Sequence, residues 1–148
     1  MLVHYLKFGC HPSLLSGIFH SDESIKLKSC PKPDSTSLPF QIDASLAAAG
    51  CITEMLMQSH RYSGSFHERI FEINLLPALP VAWKAGCISG LRARGGFTVD
   101  IEWESHVLKR AHVSGNGIAD IKYNNINKRI VVNPGKKTVL DEKLNLIT

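Results

Sequence analysis

The sequence predicts an α+β protein: one long amphipathic helix followed by an antiparallel β-sandwich-like domain. Three observations lead there. Over 40–61, FQIDASLAAAGCITEMLMQSHR, apolar residues recur at helical steps, with Ile42, Leu46, Ala49, Ile52 and Met55/Leu56 on one stripe and Glu54, Gln58 and Arg61 opposite. From Phe97 to Glu104 the side chains alternate without a break, Phe97, Val99, Ile101 and Trp103 against Thr98, Asp100, Glu102 and Glu104, which is the period of a half-buried strand. Short strand-like runs follow at 107–114, 118–123, 129–133 and 137–144. Gly115-Asn116-Gly117, Asn124 to Asn127 and Asn133-Pro134-Gly135 separate them, the punctuation of a sandwich or small barrel.

Taken in order, residues 1–38 are irregular and linker-like, with Pro31, Pro33 and Pro39 set among serines and at most one helix near 12–19. Residues 39–62 carry the helix. Asp43 stands where its carboxylate can accept the orphan N–H groups of the first turn and oppose the helix dipole. The run Ala47 to Gly50 is smooth enough for another helix to approach. Residues 63–148 form the β-domain, beginning with strands at 70–76 and 86–94. Between these two, Leu75 to Pro80 cannot be regular helix, because Pro77 and Pro80 fix φ and remove two donors. Arg92 and Arg94 lie beside Gly90, Gly95 and Gly96, a turn or bulge with positive φ available.

Composition narrows the function. The 148 residues carry 17 Lys and Arg against 13 Asp and Glu. The excess falls in the separate doublets 109–110, 128–129 and 136–137 rather than in one stripe, which argues against nucleic acid as a partner. No segment has the length and apolarity to span a membrane. The opening MLVHYLKFGCHP is not a signal peptide, so the compartment stays unassigned. Cys10, Cys30, Cys51 and Cys87 show no metal-type spacing and read as free thiols; the seven histidines form no HxH or HExxH pattern. No metal and no cofactor is expected. Glycine-rich phosphate loops and a GxSxG elbow are missing. Arg92 and Arg94 are either an anion clamp or ion-pair partners of Glu102 or Glu104. Asp43 is either a helix cap or an acid–base group. Trp83, Trp103 and Tyr123 are the stacking candidates; Trp103 belongs in the core, which leaves Trp83, in the Pro-flanked loop, as the better platform.

Two blocks, PFQIDASLAAAGCITEMLMQSH at 39–60 and EINLLPALPVAWKAGCISGLRARGGFTVDIEW at 72–103, resemble the C-terminal part of glycoside hydrolase family 95, the α-L-fucosidases. The resemblance implies that the helix is the last of an (α/α)6 catalytic barrel, with a β-domain after it. It further implies inverting hydrolysis of α-1,2-linked L-fucosides, in which a glutamic acid protonates the leaving group and an aspartate with paired asparagines activates water. On that pattern Asp43 is the general base, and Gln41 and Trp83 are substrate contacts. Some relatives act on α-L-galactosides. The sequence departs from the pattern at Ala44, Ser45, Leu46 and Ala47, where a small residue and Asn-Phe-Gly are expected, and at Ser37-Leu38-Pro39, where a His-Pro-Pro type is expected. The general acid and the asparagines belong to barrel helices upstream of these residues. The chain therefore reads as a fragment or degenerate copy of the hydrolase, inactive alone, whose partners are the other part of the barrel and a fucosylated glycan. The alternative is a non-catalytic β-sandwich that binds carbohydrate or protein.

Overall fold

The computed structural model describes residues 42–65 and 67–147, with side chains from Leu46 onward. The linker-like 1–38 and the helix expected near 12–19 lie outside the described residues. Helix α1 (Ile42–Leu56) leads into β1 (Met57–Gln58), β2 (Tyr62–Ser63), β3 (Ile70–Leu75), β4 (Gly86–Ala93) and β5 (Phe97–Glu104). Strands β6 (Val107–Ser114), β7 (Gly117–Tyr123), β8 (Ile126–Val132), β9 (Lys137–Leu140) and β10 (Leu146–Ile147) complete the described chain. Thr53–Thr148 forms a compact unit of its own.

The helix is shorter than its pattern. The sequence pattern extends the helix to Arg61, yet α1 stops at Leu56. Its last carbonyls are claimed from outside the helix: Leu76 N–H donates to Leu56 O at 2.8 Å and Ala78 N–H to Met55 O at 3.1 Å. Gln58 Nε2 donates to Glu54 O at 3.2 Å. With these acceptors satisfied nothing favours another turn. Met57 and Gln58 pair instead with Leu75 and Asn74 as β1. Leu46, on the apolar stripe, is 65% exposed.

Ten strands form two sheets among the described residues. One runs β1-β3-β7-β8 with β2 also against β3, the other β10-β9-β6-β5-β4. Pairing is antiparallel with one exception that the strand pattern did not predict: β3 and β7 are parallel, from Phe71↔Ala119 to Leu75↔Tyr123. Parallel neighbours need a long crossover. Here the intervening β4, β5 and β6 serve as that crossover and build the second sheet on the way. The strand expected at 137–144 ends at Leu140, because the Asp141 carboxylate gathers the N–H groups of Lys143 and Asn145 at 2.8 and 2.7 Å and turns the chain.

The alternating face of β5 (Phe97, Val99, Ile101, Trp103) is buried as its period predicts. Ile73 and Leu75 of β3, Ala119 and Ile121 of β7, and Ile130 and Val132 of β8 are buried too, all at most 4% exposed, and belong to the same sandwich core. A polar bolt crosses it: Leu108 N–H on β6 donates to Tyr123 Oη on β7 at 2.9 Å. Two glycines are required by geometry. Gly90, φ 78°, forms the β4 bulge, and its N–H donates to Asp100 Oδ1 at 2.9 Å. Gly86 lies under the Trp103 ring, so close that a Cβ there would stand 2.4 Å from Cζ2.

Candidate functional site

Asp43 takes its place in the first turn of α1. Its side chain and the whole of Gln41 lie outside the described residues. Of the three site residues Asp43, Gln41 and Trp83, Trp83 alone has a described side chain.

Trp83 sits in the connection from β3 to β4. The chain leaves β3 through Leu76, whose φ of 50° is left-handed. A turn closed by Trp83 N–H to Pro80 O at 2.9 Å then reverses it. The loop is pinned by the β5–β6 hairpin. Trp103 Nε1 donates to Trp83 O at 2.9 Å and His106 N–H to Lys84 O at 2.9 Å. His106 Nε2 lies 2.7 Å from Val81 O. A carbonyl only accepts, so Nε2 carries the proton and Nδ1 is left as the acceptor when the ring is neutral. The loop presents Val81 to solvent, 87% exposed, and holds the Trp83 indole half-buried.

A second feature was not evident from sequence. Gln58 pairs with Asn74 and Tyr62 with Phe71, so one extra residue is accommodated between β1 and β2, as in a β-bulge. Glu72 N–H donates to Arg61 O at 2.9 Å within it, and Ser59 Oγ accepts Arg94 N–H at 3.0 Å from the Gly-rich turn. The bulge turns His60 and Arg61 toward Gln58, Glu72 and Asn74, and the five line a notch of about 150 Å³. Amide, imidazole, guanidinium and carboxylate there offer both donors and acceptors to hydroxyl groups. The volume falls short of the roughly 300–1,000 Å³ of small-molecule pockets, so the notch seats a few polar atoms and no oligosaccharide. The legible signal was the alternation in Glu72-Ile73-Asn74-Leu75, whose polar members face away from the core.

Several other charged groups are committed to structure. Arg92 bonds the Thr98 hydroxyl at 2.7 Å and Glu104 pairs with Lys109 at 3.2 Å, where the sequence offered ion pairs of Arg92 and Arg94 with Glu102 or Glu104. Arg129 grips Asp120 with two bonds of 2.7 and 2.9 Å. That guanidinium, with smaller help from the Ser63 hydroxyl, holds the Asp120 carboxyl below the ordinary carboxylate range. The Asp141 carboxyl is lowered chiefly by the Asn145 N–H. Cys51 and Cys87 are exposed thiols.

Residues 58–146 match the family model described as glycoside hydrolase family 95, C-terminal domain. Alpha-L-fucosidase 2 of Arabidopsis thaliana is 38% identical over 112 residues, 74% of this chain and 12% of the relative. Probable alpha-fucosidase A of Aspergillus oryzae is 38% identical over 76 residues, 51% of this chain and 10% of the relative. Its namesake in Aspergillus niger is 36% identical over 96 residues, 60% and 12%. The chain thus spans only about a tenth of the length of the curated relatives it matches. A match over 74% of 148 residues covers about 109 and leaves at most 39 outside, so the plant alignment contains positions 40–109, with Asp43 and Trp83 among them.

Proposed function

The chain belongs to glycoside hydrolase family 95, and from that premise we propose that it supplies the closing helix and C-terminal β-domain of an enzyme that hydrolyses α-L-fucosidic bonds by inversion. In this reading Asp43 is the base that draws a proton from the attacking water. Inversion needs a second group, a general acid that protonates the departing oxygen on the opposite side of the ring. The family pattern puts that acid on barrel helices other than α1, so a protein of these 148 residues alone releases no fucose. Gln41 and Trp83 would contact the sugar once the barrel is complete.

One observation carries the proposal: the match to a plant alpha-L-fucosidase covers 74% of the chain, enough to reach from before Asp43 into the β-domain. Release of L-fucose from an α-1,2-fucosylated oligosaccharide tests the reading. The chain alone should give none. Joined to a barrel that carries the general acid it should turn over, and Asp43→Asn should lower kcat by about 10²–10⁴-fold. Turnover by the 148-residue chain, abolished by Asp43→Asn, would sink the two-part reading.

A further inference from the structure

At one end of the sandwich a cleft of about 410 Å³ opens where several turns converge. It falls within the roughly 300–1,000 Å³ of small-ligand pockets, unlike the notch beside β1. Leu76, Val107, Tyr123 and Ile126 supply its apolar lining. Val107 and Ile126 are 45% and 39% exposed, so this apolar surface faces water. The polar lining comes from His106, Asn124, Glu142 and Lys143. The Asn124, Glu142 and Lys143 side chains make no hydrogen bond or ion pair with another described residue.

Left-handed backbone positions gather at the same end of the sandwich. Among the described residues the left-handed, non-glycine positions are Leu76 (φ 50°), Ser105 (53°), His106 (63°), Asn124 (52°) and Leu144 (60°). Three of these line the cleft, and Ser105 and Leu144 each adjoin a residue that does. Asn124 and His106 are of types enriched in this conformation, whereas Leu76 and Leu144 are not. Ser105, His106 and Asn124 are central positions of the two-residue β5–β6 and β7–β8 hairpins, where positive φ is what the turn demands, so the strained backbone beside the cleft is Leu76 and Leu144.

We propose that this cleft is a non-catalytic saccharide subsite. It would take a mono- or disaccharide whose apolar ring face or deoxy methyl lies on Val107 and Ile126, with hydroxyls bonded to Asn124, Glu142, Lys143 and the free Nδ1 of His106. An amphiphilic lining of this kind suits a sugar ring, which has one apolar face and a polar rim. The choice of saccharide rests on the hydrolase reading above; the cleft rests on its own geometry.

Titration of the ¹⁵N-labelled chain with L-fucose, followed by amide NMR, tests it. Saturable shifts are expected at His106, Val107, Asn124, Ile126, Glu142 and Lys143, with none at Gln58 or Glu72. Asn124→Gly removes the amide while relaxing the left-handed backbone. Affinity should therefore fall roughly five- to tenfold while the thermal midpoint holds or rises. Glu142→Ala should weaken binding to a similar degree. The proposal is overturned if no saturable shift appears in the cleft, if both variants bind as the parent does, or if only an amphipathic peptide shifts these amides. No arm of the titration depends on Asp43 or on turnover. A completed enzyme that fails to release fucose would thus defeat the hydrolase reading and leave a positive titration standing.

Discussion

Gly86→Ala should cost the β-domain about 2–4 kcal/mol although it adds a single methyl group. The added Cβ would lie 2.4 Å from Trp103 Cζ2, 2.9 Å from Cη2 and 3.0 Å from Cε2. Gly86 and Trp103 are direct partners across β4 and β5, so the strand cannot slide away from the ring without breaking the ladder. Nor can the ring retreat easily: Trp103 is 7% exposed, and its Nε1 is held by Trp83 O at 2.9 Å. Gly86 has no left-handed φ, so the whole penalty comes from packing. Overpacking of a core costs about 1–3 kcal/mol. Loss of the indole hydrogen bond adds about 1 kcal/mol. For a domain of this size the thermal midpoint should fall by on the order of 10–30 °C. Urea unfolding at unchanged slope, with near-ultraviolet circular dichroism to follow the indole, gives the stability. Trp103→Phe removes the atoms that clash, so Gly86→Ala should cost less than half as much in that background. A Gly86→Ala protein within about 0.5 kcal/mol of the parent, or simple additivity with Trp103→Phe, would refute the packing argument.

Two further outcomes follow from single contacts. Tyr123→Phe leaves Leu108 N–H buried without its acceptor and should destabilise by about 1–3 kcal/mol with the fold unchanged; an equal stability in urea would show that another acceptor replaces Oη. Asp120 titrates below its ordinary value of 3.8 in the fold, so the stability it contributes is fully present above that value and is lost as pH falls through the lowered one. Arg129→Gln should therefore open a stability gap that is widest near neutral pH and closes on acidification, whereas a gap independent of pH would contradict the pairing.

The β5 alternation and the Asn/Gly turns were legible because each is a local rule: a period of two, and a residue type that tolerates positive φ. The helix end was not. The sequence pattern extends the helix over 57–61, and what stops α1 is a pair of N–H groups from Leu76 and Ala78, some twenty residues away in sequence. The parallel pairing of β3 with β7 is likewise non-local, set by where β4 to β6 lie. The notch depends on a one-residue mismatch between β1, β2 and β3, which no single strand reveals. The cleft is hidden for a different reason: Leu76 and Leu144 adopt a conformation for which their residue type gives no cue. Asp43, by contrast, was named by wording alone, from the FQID block.

Whether Trp83 touches sugar or only packs is separable, because its two ends do different jobs. The carbonyl fixes the Trp103 indole and the side chain is half-buried, so Trp83→Ala keeps the first role and removes the second. Gly86→Ala does the reverse, disturbing the carbonyl's partner while leaving the Trp83 ring in place. In a completed enzyme, a sugar-stacking indole contributes about 1–2 kcal/mol of binding made equally in ground and transition states. Trp83→Ala should then raise KM for a fucosylated oligosaccharide by roughly 5–30-fold with kcat little changed. Gly86→Ala should lower the thermal midpoint and the folded fraction while KM stays at the parental value. If Trp83→Ala instead behaves like Gly86→Ala, the indole is scaffold, and sugar contact must come from the α1 side of the active site.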